Sequence, residues 1–104
     1  MTGGKGFVGS HLTAAFASGI YGECELIGLD RDGGDGVDIR DMDAVAGMVR
    51  NVRPTAVVHL AALAAPAEAD RSRRQAWDTN VIGTFNLADA VMRHAPEARF
   101  IQVG

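Results

Sequence analysis

The densest chemical signal lies at the start of the chain, in Thr2-Gly3-Gly4-Lys5-Gly6-Phe7-Val8-Gly9. Gly4, Gly6 and Gly9 satisfy G-x-G-x-x-G, while Gly3, Gly6 and Gly9 satisfy G-x-x-G-x-x-G. Both spacings carry the same physics. Glycine tolerates positive φ in a tight turn, its missing side chain lets backbone N–H groups approach a pyrophosphate, and the last glycine lets the following helix pack closely. That helix then directs its partially positive N-terminus at the phosphates. The other glycine-rich phosphate loop, G-x-x-x-x-G-K-[ST], is excluded, because Lys5 precedes Gly6 and neither Ser nor Thr follows the lysine.

A second group sharpens this reading. Asp30 closes the apolar run Glu25-Leu26-Ile27-Gly28-Leu29, 21 residues after Gly9. That is where a dinucleotide fold places an acid for the adenosine ribose hydroxyls. A carboxylate there repels a 2′-phosphate and favours NAD over NADP. Arg31, immediately after it, acts in the opposite sense. The other reactive side chains carry weaker signals. His59, at the end of a buried strand, reads either as a general base or as a structural histidine. His11 and His94 have no carboxylate or cysteine at ligand spacing, so a metal site is not expected. Cys24 stands between Glu23 and Glu25 with no cation to activate its thiol. Arg71, Arg73 and Arg74 read as a solvated surface, or as phosphate contacts from the loop after the strand at 55–61.

The elements that must position these groups alternate short apolar runs with helical periods, the pattern of strand–helix units and a parallel sheet. Val8, Leu12, Ala15 and Phe16 recur at helical spacing, and Gly19 ends that helix. Residues 25–30 read as a buried strand, and 37–39 as a minimal one. Asp41 is an N-cap for a helix carrying Val45, Met48, Val49 and Val52, which must end before Pro54. Residues 55–61 read as the clearest strand, apolar on both faces through Ala56, Val57, Val58 and Leu60. A long helix runs from about Gln75 to His94, with Trp77, Val81, Phe85, Ala88 and Met92 on its packing face. Pro96 stops it, and 99–103 is the last strand.

Composition bounds the function classes. The 104 residues are 47% hydrophobic and 22% charged, with a net charge of -3, which fits one globular domain and argues against nucleic acid or an anionic membrane as the main partner. A single cysteine excludes an internal disulfide framework and suits a reducing, cytoplasmic setting. No apolar run approaches a membrane span, and the start MTGGKGF lacks the order of a secretory signal.

Five ordered motifs, TGGKGFVGSHL (2–12), GLDR (28–31), VDIRD (37–41), RPTAVVHLAALAA (53–65) and TNVIGTFNLADA (79–90), closely resemble the cofactor-binding half of the extended short-chain dehydrogenase/reductase family, the NAD-dependent nucleotide-sugar epimerases and dehydratases. The resemblance implies an α/β fold, a Rossmann-type doubly wound parallel sheet, with residues 1–104 as part of an NAD(P)-binding domain. It also implies a pyrophosphate turn from Gly3, Gly6 and Gly9 with Phe7 and Val8. Asp30 and Arg31 would hold the adenosine ribose. Asp38 and Ile39 would contact the adenine, the carboxylate accepting from its exocyclic amine. Leu60, Ala61 and Ala62 would line the cofactor cleft, and Asn80 would stabilise the active-site framework. His59 matches a family histidine that carries no chemistry. For the intact protein the resemblance implies oxidation of a nucleotide-linked sugar at C4 by NAD, isomerase or lyase outcomes included, and a homodimer.

The chain also departs from the family pattern. The first strand is expected to be missing ahead of the glycine turn, along with everything after the fifth strand. In the order 3-2-1-4-5 that first strand would separate 25–30 from 55–61, a place too large for Met1 and Thr2. Residues 1–104 alone are therefore expected to be aggregated or poorly ordered. The family's catalytic Ser or Thr and its Tyr-x-x-x-Lys have no counterpart. The only tyrosine, Tyr21, has no lysine four residues later, and the only lysine lies in the glycine turn. A non-catalytic dinucleotide sensor or scaffold of the same fold is the alternative reading.

Overall fold

The computed structural model describes residues 1–29, 36–61 and 77–103. In chain order its elements are α1 (Phe7–Ala17), α2 (Met42–Val52), β1 (Ala56–His59), a π-helical turn (Asp78–Gly83), α3 (Thr84–His94) and β2 (Arg99–Gln102). Local signals account for most boundaries. Gly19, at φ +79°, follows the end of α1 and donates its N–H to the Phe16 carbonyl at 3.2 Å. The Asp41 carboxylate accepts the Ala44 N–H at 3.1 Å, capping α2 as its position predicts. Arg53 closes α2 in the left-handed region, at φ 49° and ψ 62°.

β1 and β2 pair in parallel, with Ala56 opposite Arg99 and His59 opposite Gln102. Thr2 forms parallel bridges to both Leu29 and His59. Its N–H donates to Val58 O at 3.0 Å and its carbonyl accepts from Leu60 N at 3.3 Å, while Met1 O accepts from Leu29 N at 2.8 Å. The lateral order is thus Leu29, Thr2, β1, β2, the order of a doubly wound sheet. This corrects the expectation that Met1 and Thr2 are too short for the central place. Two residues suffice because they divide the bonding: Met1 bonds to Ile27 and Leu29 on one side, and Thr2 to Val58 and Leu60 on the other.

Elsewhere the expected strands shrink. Residues 25–28 form no ladder, and only Leu29 keeps a bridge. Residues 37 and 38 are irregular and 39–40 form a turn rather than a minimal strand. β1 is covered on one face only: Val57 and His59 are buried while Ala56 is exposed and Val58 half-buried.

The core joins Val45 and Val49 of α2, Leu87, Ala90 and Val91 of α3, Val57 of β1, and Leu29 and Ile39. Burying each of its Val, Leu and Ile side chains contributes about 1.5–3 kcal/mol. α1 supplies no residue to this core, and its one buried residue is Gly9. The packing face expected for the last helix is also corrected. Trp77, Phe85 and Met92 are 62%, 62% and 74% exposed, and Val81 lies beside them in solvent. They share a face, as their spacing requires, but the opposite face, Gly83, Asn86, Leu87, Ala90 and Val91, is the one that packs. No helix among the described residues is long and apolar enough to cross a membrane.

Candidate functional site

The glycine turn leaves the centre of the sheet at the carboxyl end of Thr2 and enters α1. Gly3 adopts φ +70°, and a Cβ on it would stand 2.8 Å from Ala61 N and 2.9 Å from the Leu60 carbonyl carbon. Its carbonyl accepts the Gly6 N–H at 3.1 Å. A Cβ on Gly9 would overlap that same Gly3 carbonyl oxygen and crowd the Gly4 backbone, so Gly9 is required where the helix seats on the turn. Gly6 differs from both. A Cβ there would meet only Gly3 O, at an ordinary 3.4 Å. Among the described residues, nothing else crowds a side chain at Gly6. Gly6 is also the N-cap of α1, with no capping side chain and no acidic residue in the first turn, so the positive end of the helix is left for an anion. Gly3 meets both Gly6 and Gly9, and Gly4 also borders Gly9.

The turn is tied to β1 through a buried polar bridge. Thr2 Oγ1 accepts the N–H groups of Leu60 and Ala61, each at 3.1 Å, which uses both of its lone pairs. Its own hydroxyl must then donate to His59 Nδ1, 2.6 Å away. That assigns the proton of His59 to Nε2, which donates to Thr84 Oγ1 at 2.8 Å. His59 has no solvent-exposed surface, and burial pushes its pKa below the ordinary imidazole value. A neutral histidine with both ring nitrogens committed is a strut of the fold. Leu60 and Ala61, expected at the cleft, are thereby held against the glycine turn.

The expected adenine turn lies on the other side of α3. Asp38 accepts from the backbone N–H of Arg40 at 3.0 Å and from its guanidinium at 2.6–3.1 Å. Hydrogen bonding to Asp38 and its charge hold the Arg40 guanidinium above its usual value. Ile39 is buried beneath the π turn, where a Cβ on Gly83 would fall 2.6 Å from Ile39 Cδ1. Asn86 donates to the Ile39 carbonyl at 3.0 Å and to the Arg40 carbonyl at 3.1 Å. The first turn of α3 thus grips both parts: Thr84 holds His59 and Asn86 holds residues 39–40.

Asn80 lies in the π turn, exposed. Phe7 and Val8 open α1 in solvent beside the glycine turn. Asp30, Arg31, Ala62 and the Arg71, Arg73 and Arg74 cluster fall outside the described residues. Sequence reasoning missed Thr2, Thr84 and Asn86. Thr2 precedes the glycines and could have been suspected; the other two carry no local signal, since their partners lie 25 and 46–47 residues away.

A parallel sheet with its central segment leading through a glycine turn into an uncapped helix N-terminus defines a dinucleotide-binding α/β fold. The chain belongs to the NAD dependent epimerase/dehydratase family, whose model matches residues 1–104. It is 28% identical over 100 residues to the UDP-glucose 4-epimerase of Rhizobium meliloti (strain 1021), covering 88% of this chain and 30% of that protein. Among solved structures it is similar to UDP-glucose 4-epimerase of Thermotoga maritima with UDP-glucose (TM-score 0.82, 26% identity, 97% of this chain and 35% of that one). A second is dTDP-4-dehydrorhamnose reductase of Bacillus anthracis str. Ames with NADP (0.80, 26%, 95% and 32%). A third is UDP-glucose 4-epimerase of Thermus thermophilus with NAD (0.78, 28%, 89% and 33%). The chain spans about a third of the length of these relatives.

Proposed function

We propose that the intact protein is an NAD-dependent epimerase or dehydratase acting on a nucleotide-sugar by hydride transfer at C4, and that residues 1–104 form the part that holds the cofactor. The observation that carries this reading is Gly6: no described residue but Gly3 would meet a side chain there, at the uncapped N-terminus of α1, with Leu60 and Ala61 held beside Gly3. Gly3, Gly6 and Gly9, with Phe7 and Val8, cradle the pyrophosphate. Asp30 and Arg31 take the adenosine ribose, Asp38 and Ile39 the adenine. Leu60, Ala61 and Ala62 line the cleft, and Asn80 braces the active-site framework from the π turn. NAD, when bound, supplies the hydride acceptor at its nicotinamide. This chain's residues bind and orient; proton transfer at the sugar falls to groups outside residues 1–104. The exposed stripe of Trp77, Val81, Phe85 and Met92 offers the homodimer implied by the resemblance an apolar face to bury. The cytoplasm is the compartment that suits an NAD enzyme of this kind.

Calorimetry on the intact protein tests the reading. NAD is expected to bind more tightly than NADP, Asp30→Ala to narrow or reverse that preference, and Gly6→Val to abolish most of the affinity. Tighter binding of NADP to the parent would overturn the role of Asp30. NAD binding without conversion of any nucleotide-sugar would assign a sensor instead.

A further inference from the structure

We infer that Asn86 is a positioning residue for base recognition, orienting the Asp38 carboxylate toward the exocyclic amine of adenine through a single peptide group. The inference rests on the assignment of Asp38 and Ile39 to adenine made above. Asn86 sits in the packed face of α3 among Gly83, Leu87 and Ala90, where an apolar residue would satisfy packing alone. A buried amide costs free energy unless its hydrogens are used. Both carbonyl partners require a donor, so the NH2 end faces them, and both of its hydrogens are committed.

The decisive feature is which peptide is held. The Ile39 carbonyl accepts from Asn86, and the N–H of the same peptide, that of Arg40, donates to Asp38 Oδ1 at 3.0 Å. In a planar trans peptide these two groups point in opposite directions. Fixing the carbonyl toward α3 therefore fixes the N–H toward Asp38, and the carboxylate is aimed by a bond made 47 residues away. Gly83, one helical turn before Asn86, completes the clamp by letting the Ile39 side chain lie flat against the π turn. Without Asn86 the 39–40 peptide loses its bond to α3, while the turn stays closed by the Asp41 N–H on the Asp38 carbonyl and the Arg40 guanidinium stays on the Asp38 carboxylate.

Nicotinamide hypoxanthine dinucleotide is the discriminating probe. It replaces the adenine amine, a donor, with a carbonyl oxygen that a carboxylate repels. The intact parent protein is expected to bind NAD at least about tenfold more tightly than this analogue, the range of one charge-assisted hydrogen bond. Asn86→Ala should bring that ratio to within about threefold of one, and adding Asp38→Asn should lower it no further, because the two act as a unit. Loss of general stability would weaken both dinucleotides alike and leave the ratio unchanged. Should Asn86→Ala fail to fold, Asn86→Ser, which keeps one donor, carries the same measurement with a partial fall expected. A folded Asn86 variant that retains the parent ratio overturns the inference while leaving the adenine assignment standing. A parent ratio near one overturns the assignment itself, and the inference with it.

Discussion

The Thr2 hydroxyl and His59 Nδ1 lie 2.6 Å apart in the interior, and this bond joins the phosphate turn to the end of β1. Every polar atom around it is committed, from the Leu60 and Ala61 amides to the Thr84 hydroxyl. Protonating His59 would place a second hydrogen against a hydroxyl whose lone pairs are already in use.

A pH dependence follows from that arrangement. Burial lowers the folded-state pKa of His59, whereas the unfolded chain titrates near about 6.5. The unfolded state therefore binds the proton more readily, and stability falls as pH drops below about 6.5. It is fully present above that value. Thermal melts of the parent between pH 8 and 5 are expected to show this loss, and His59→Gln a flatter profile over the same range. An identical slope in the two proteins would remove His59 as the cause.

Thr2→Val should reveal the worth of the bridge. It keeps the shape and strips the hydroxyl, leaving the Ala61 amide and an imidazole nitrogen without that partner and the Leu60 amide with the Thr2 carbonyl alone. A loss of at least about 2 kcal/mol in urea unfolding is expected. Thr2→Ser, which restores the oxygen, should recover most of it.

Gly6 and Gly9 should separate binding from folding. Gly9→Ala forces a methyl into the Gly3 carbonyl and should destabilise by about 3 kcal/mol or more, since backbone cannot yield as a side chain does. Gly6→Val, in an extended backbone where the Cβ would meet Gly3 O at 3.4 Å, should stay within about 1 kcal/mol of the parent. Reversed stabilities in denaturant titrations would refute the division of roles.

Arg53→Gly should stabilise the protein. Arg53 ends α2 at φ 49°, a conformation that costs a residue with a Cβ and suits glycine. A gain of about 0.5–1 kcal/mol in unfolding free energy is expected, with no gain from Arg53→Ala.

Much of this architecture was legible in local residue order. Asp41 caps α2, Pro54 follows its end, Gly19 terminates α1, and the glycine turn opens that helix as its spacing demands. These features depend on interactions within a few residues, where type and spacing are the whole cause. Periodicity also grouped Trp77, Val81, Phe85 and Met92 correctly on one face.

Periodicity could not say which way that face points. An apolar stripe states that certain residues lie together, while the choice of partner depends on elements far along the chain. Here Ile39 and α2 take the opposite face, with Gly83 and Asn86 at its centre. A buried amide looks polar in sequence, and only its distant carbonyls reveal why it belongs inside. The same holds for the sheet. Whether 25–29 pairs as a strand, and whether two residues can hold the central place, depends on backbone groups brought opposite one another from positions 2, 29 and 58–60. Local chemistry therefore wrote the turns, caps and helices, and tertiary contact decided the strand pairing, the buried face and the bonds that aim the site, because those energies arise between residues the chain separates.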